Sequence, residues 1–99
     1  MTYAFHPAAE SEHLETVAYY ESQRKGLGAD YLTEFESAMG GICEAPRRYP
    51  VARKPDTRRA RMNKFPFTIL FREISGAIQV LAVAHRRRHP EYWIGRLPS

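Results

Sequence analysis

Apolar and polar positions divide the chain into a helical first half and a strand-rich second half. Over residues 2–6, Tyr3 and Phe5 alternate with small or polar neighbours, the period-two pattern of a short strand. Pro7 stands where a first helical turn accepts proline, and Ala8 to Arg24 are mostly good helix formers. Leu14, Val17 and Ala18, continued by Tyr20 or Glu21, give a narrow apolar stripe at helical spacing. Acidic residues near its start suit the positive end of the helix dipole. Lys25-Gly26-Leu27-Gly28 breaks this helix. A second helix is predicted from about Ala29 to Glu44, with a cleaner stripe of Tyr31, Leu32, Phe35, Ala38, Met39 and Ile42. Gly40-Gly41 weakens its last turns by roughly 1 kcal/mol per glycine, and Pro46 ends it. The two helices form a hairpin.

Residues 46–58 are Pro-rich, basic and aperiodic, and read as a long loop. From Arg59 the period changes. Arg59-Ala60-Arg61-Met62 alternates charged with small or apolar residues, which puts both arginines on one face of a strand. Phe65 to Ile74 and Ala77 to His85 read as two strands joined by the Ser75-Gly76 turn. The run Val80-Leu81-Ala82-Val83-Ala84 suits a central strand covered on both faces. Residues 90–97 are expected to dock as a short turn or helix. The order β-α-α-β-β-β implies an α+β fold: a helical hairpin packed on one face of a mainly antiparallel sheet of roughly four strands.

With 99 residues, a single domain spanning 1–99 with one modest core is expected. The one cysteine, Cys43, has no internal partner and reads as inert; the N-terminus lacks signal-peptide character, and no apolar run is long enough to span a membrane. A cytoplasmic location is expected. Charge changes the picture more. Residues 1–45 hold two basic against eight acidic residues, whereas residues 46–99 hold thirteen against three. Such asymmetry points to a face that meets a polyanion, or to halves that neutralise each other in the fold.

The candidate chemistry gathers around AVAHRRRHPEYW, residues 82–93. Arg59 and Arg61 leave one strand, His85 and Arg86 end another, and Tyr92 follows. Cutting RNA through its own 2′-hydroxyl needs a base, cations on the phosphate and a proton donor for the leaving oxygen. Arginine suits the cation role because its planar fork matches phosphate oxygens. Histidine, or a tyrosine acidified by nearby arginines, suits proton transfer, so no metal or cofactor is expected. The plainer reading makes Arg86-Arg87-Arg88 a solvated strand end and Tyr92 and Trp93 packing anchors. His85 and His89 stand four apart, but Pro90 follows His89 and the segment does not read as helical, so a metal pair is not the expected reading. No Ser-His-Asp order, HExxH or phosphate-cradling glycine loop is present.

The strings FHPAAESEHLETVAYYESQRKGLGADYLTEFESAM and RRARMNKFPFTILFREISGAIQVLAVAHRRRHPEYW resemble the RelE/ParE superfamily of type II toxin–antitoxin toxins over roughly residues 3–96. The resemblance implies a toxin neutralised by a cognate antitoxin, whose C-terminal segment wraps it in a hetero-oligomer with no membrane contact. RelE-like members cut mRNA in the ribosomal A site, and ParE-like members poison DNA gyrase. For a ribosome-dependent mRNA interferase, the resemblance matches its functional residues to Arg59, Arg61, Arg86 and the catalytic Tyr92; with His85 added from the proton-transfer reading above, the catalytic candidates are Tyr92, Arg86, Arg61 and His85. Phosphate or RNA contacts would come from Arg59, Arg61, Arg86, Arg87, Arg88 and Lys64. The arginine expected on the third strand falls on Thr68, so its charge would come from Arg72, Arg87 or Arg88. The alternatives are a ParE-like gyrase inhibitor acting by binding, or a decayed toxin that retains antitoxin binding.

Overall fold

A computed structural model describes residues 1–98; Ser99, the last residue of the expected 1–99 domain, lies outside them. Strand β1 (Tyr3–Phe5) leads into helices α1 (Pro7–Gln23) and α2 (Leu27–Glu44), followed by β2 (Val51–Arg53), β3 (Thr57–Arg61), β4 (Phe67–Ile74) and β5 (Ala77–His85). The sheet order is β1-β5-β4-β3-β2; β1 runs parallel to β5 and the other pairs are antiparallel. The expected architecture is present with one strand more. Residues 46–58 are not one loop: a single 3-10 turn (Pro46–Arg48) precedes β2, which pairs with β3 as the sheet's fifth strand. Among the described residues no helix is long and apolar enough to cross a membrane.

The helix hairpin closes on a glutamate. The Glu21 carboxylate accepts the backbone N–H groups of Gly26 and Gly28, so α2 starts at Leu27 rather than Ala29. These amides are among the donors that a helix start leaves without intrahelical partners. Gly26 makes the turn at φ 91°. Helix α2 buries Tyr31, Phe35, Met39 and Ile42, as its stripe predicts. Helix α1 buries Ala9 and His13, with Val17 and Tyr20 packed beside the core. Leu14, expected in that stripe, is 61% exposed, because the inward face follows 9, 13, 17 and 20.

Alternation along the strands makes two cores. Phe67, Ile69 and Phe71 of β4, with Ile78, Val80 and Val83 of β5, meet the helices. On the opposite face Leu70, Leu81, Ala82 and Trp93 form a smaller cluster under the C-terminal segment. The β4–β5 register jumps from Leu70↔Ala82 to Phe71↔Val80, leaving Leu81 as a bulge residue. The β4–β5 turn holds Ser75 at φ 51° and Gly76 at φ 79°, the two left-handed residues of a type I′ hairpin. Residues 90–97 fold as turns ending in a 3-10 turn, Ile94–Arg96, as expected.

Candidate functional site

Ala60 on β3 and Met62 just after it belong to the helix-side core, so the alternate residues Arg59 and Arg61 point to the opposite face. Thr68 lies across from Arg61 and Ala84 across from Thr68. Arg86 follows β5 and its backbone N–H donates to the Pro66 carbonyl at 2.9 Å, which fixes where the chain leaves the sheet. A hollow of about 470 Å³ is bordered by Arg59, Arg61, Thr68, Arg86, Arg88 and Trp93. A second, of about 450 Å³, has Lys64 and Asn63 on its far wall. Arg61, Thr68 and Arg86 border both, and so form the ridge between them.

Of the thirteen basic residues of the second half, Arg48 lies over the Tyr49 ring and Lys54 is exposed, and the other eleven fall into two groups. Arg47 pairs with Glu73 at 3.3 Å, Arg53 with Glu91 at 3.4 Å, and Arg96 with Glu12 at 2.8 Å. Arg58 donates to the Tyr49 carbonyl at 2.7 Å and Arg72 to the Gln79 side chain at 3.1 Å. Among the described residues, Arg59, Arg61, Lys64, Arg86, Arg87 and Arg88 pair with no carboxylate. All six are exposed, and five of them border the two hollows; Arg87 does not. Concentrated, unneutralised arginine on a concave surface is a receptor for phosphates.

The proton-transfer candidates are placed differently. The Tyr92 hydroxyl donates to the Glu12 carboxylate of α1 at 2.6 Å, and Tyr92 borders a hollow beside α1 rather than the larger arginine hollow. Burial raises its pKa above the ordinary tyrosine value, and the bond to Glu12 raises it further, outweighing Arg96 and Arg88. The arginines therefore do not acidify it. The His85 ring meets Phe67 edge-on at 5.1 Å, and its Nδ1 accepts the Arg87 N–H at 3.1 Å. It borders the larger arginine hollow and also a hollow of about 320 Å³ beside α1. His89 borders the larger hollow as well.

Glu12 and Arg96, absent from the sequence-based candidates, organise this end of the molecule. Arg96 grips both Glu12 oxygens at 2.9 and 2.8 Å, and the Val83 N–H donates to the same carboxylate at 3.1 Å. Burial alone would raise the Glu12 pKa, but the bonds from Arg96, Tyr92 and Val83 hold it below the usual glutamate value. The partners lie 84 residues apart, and nothing in an acidic helix singles out Glu12.

A search of the curated proteins gives no match. Among solved structures the chain is similar to one described as the chromosomal ParDE TA system from P. aeruginosa. The TM-score is 0.73 and the identity 14%, over 86% of this chain and 95% of that one; at that identity the likeness speaks for the fold. A family model described as the ParE toxin of the type II toxin–antitoxin system parDE matches residues 3–90. With that match over most of its length, the chain belongs to the ParE toxin family of type II toxin–antitoxin systems.

Proposed function

We propose that this toxin acts by gripping its target through Arg59, Arg61 and Arg86 rather than by cutting RNA. DNA gyrase on its DNA is the target, and a cognate antitoxin the neutralising partner, in the cytoplasm. One observation carries this reading: the Tyr92 hydroxyl is committed to Glu12 with its pKa raised. A general acid or base must reach the reacting proton and titrate near the working pH. A hydroxyl held by Glu12 with its pKa raised is poorly suited to that task, and on the RelE-like resemblance Thr68 stands where a further arginine would stabilise the transition state. Losing such a donor often costs about 100-fold in rate. Binding needs only the cations. Supercoiling assays with purified gyrase test it: the toxin should stabilise cleavage complexes, and Arg61→Ala with Arg86→Ala should abolish the effect. No effect of the wild type overturns the reading.

A second reading, a ribosome-dependent mRNA interferase, draws support from His85 and His89, which border the same hollow as Arg59, Arg61 and Arg86. Primer extension on translating ribosomes distinguishes it: A-site cuts that vanish in His85→Ala, His89→Ala would favour cleavage. Growth unaffected by the toxin without its antitoxin would instead favour the decayed-toxin reading.

A further inference from the structure

Strand β1 covers the edge of β5 only in part. The last β1-side contact is the His6 N–H on the Val80 carbonyl at 2.9 Å. Beyond it, among the described residues, no strand pairs with β5 on this side, where the Leu81 carbonyl and the Val83 N–H lie. A backbone group left without a partner in such a place is destabilising. Here Arg96 donates to the Leu81 carbonyl at 2.9 Å, and Glu12 accepts from Val83 N–H. One side chain donates, the other accepts, and the two are locked together by paired bonds. That is the pattern a further strand's backbone would offer.

The same pair fixes the C-terminal segment. The Tyr92 hydroxyl is on Glu12, and the Tyr92 ring lies between Arg88, at 4.0 Å from its centroid, and Arg96, at 5.1 Å. Arg88 reaches from that ring into the arginine hollow. Trp93, next in the chain, is 3% exposed, donates to the Pro90 carbonyl at 2.9 Å and walls the same hollow. We propose that the Glu12–Arg96 pair substitutes for an edge strand on β5, and that Glu12 is thereby a positioning residue for Trp93 and Arg88 of the arginine face. The anion-binding half of this inference rests on the proposed role of that face.

Trp93 is the only tryptophan, so its fluorescence reports the segment directly. The test compares wild type, Glu12→Gln, Arg96→Lys and the exchange Glu12→Arg with Arg96→Glu. Glu21→Ala serves as a control that lowers stability at the helix turn without touching this network. Acrylamide quenching of Trp93 is measured on the folded proteins, with affinity for a short single-stranded DNA oligonucleotide. Glu12→Gln and Arg96→Lys should make Trp93 more quenchable and weaken oligonucleotide binding roughly three- to tenfold, the scale of one hydrogen bond. Glu21→Ala should change neither. The exchange keeps an ion pair but sets a donor against Val83 N–H and an acceptor against the Leu81 carbonyl, so it should not restore either signal. Restoration by the exchange, or Trp93 unmoved in Glu12→Gln, overturns the proposal. Failure of the wild type to bind the oligonucleotide would refute the arginine-face reading instead, and leave the strand substitution to be judged on Trp93 quenching.

Discussion

Two glycines in α2 should respond to the same substitution with opposite sign. A Cβ on Gly40 would meet nothing within 4 Å, so Gly40→Ala feels only the helical preference for alanine. That preference stabilises by about 0.5–1 kcal/mol. A Cβ on Gly28 would lie 2.9 Å from the Val17 carbonyl oxygen and 3.0 and 3.1 Å from Glu21 side-chain atoms. The carbonyl belongs to the α1 backbone and cannot swing aside. The helices must part, and Glu21 is pushed off the amides it caps. Overpacking of this kind costs about 1–3 kcal/mol and loss of a cap about 1 kcal/mol, against roughly 1 kcal/mol of recovered propensity. The net expectation for Gly28→Ala is a loss of about 1–3 kcal/mol. In a domain of this size, each kcal/mol moves Tm by about 4–8 °C. Thermal unfolding followed by far-UV circular dichroism reads both. Equal shifts in one direction would refute the argument that close approach of α1, not helix propensity, dictates Gly28.

The remaining expectations concern charge. His13 is buried against Phe5, Phe35 and Tyr31, and burial lowers its pKa despite Glu36 and Glu10 nearby. The unfolded chain therefore binds this proton more readily. Stability is full above the ordinary value of about 6.5 and falls as the pH drops below it; urea melts at neutral and mildly acidic pH should show the loss, and His13→Phe should flatten it. Glu12, held below its ordinary value, adds a separate loss only as the pH falls through the carboxylate range. Alanine at Arg59, Arg61 or Arg86 should shift stability by no more than about 0.5 kcal/mol, since all three are exposed. Each should make the log–log salt slope of duplex DNA binding shallower by about 0.9 for every phosphate it ceases to neutralise. Tyr92→Phe should cost about 1.5–3 kcal/mol on denaturant unfolding, the scale of a hydrogen bond to a charged group, yet leave toxicity in place. Abolished toxicity in a folded Tyr92→Phe protein would count against the binding reading.

The helix hairpin, the β3-β4-β5 order and the arginine face are legible in the sequence, because each rests on local period. Tyr31, Phe35, Met39 and Ile42 repeat at helical spacing, and Arg59 and Arg61 share a face because strands alternate. What is not legible depends on distant partners. Strand β2 is three exposed residues with no pattern of their own, and it exists because β3 offers an edge to pair with. The face of α1 is misjudged at Leu14 because the inward series includes His13, a polar residue held by aromatic rings. Sequence order places Tyr92 among the arginines. Its ring does meet Arg88 and Arg96, but its hydroxyl turns to Glu12, a partner 80 residues away that local spacing cannot reveal.

On the proposed function, the arginine face holds a target and no cleavage takes place. The most direct measurement follows DNA synthesis and protein synthesis together after induction of the toxin without its antitoxin, with gyrase–DNA complexes and mRNA ends mapped in the same cells. DNA synthesis should stop first, with gyrase trapped on DNA and mRNA intact, and the Arg61→Ala, Arg86→Ala protein should neither stop it nor trap gyrase. Protein synthesis stopping first, with mRNA cut at ribosomal A sites, would contradict the account.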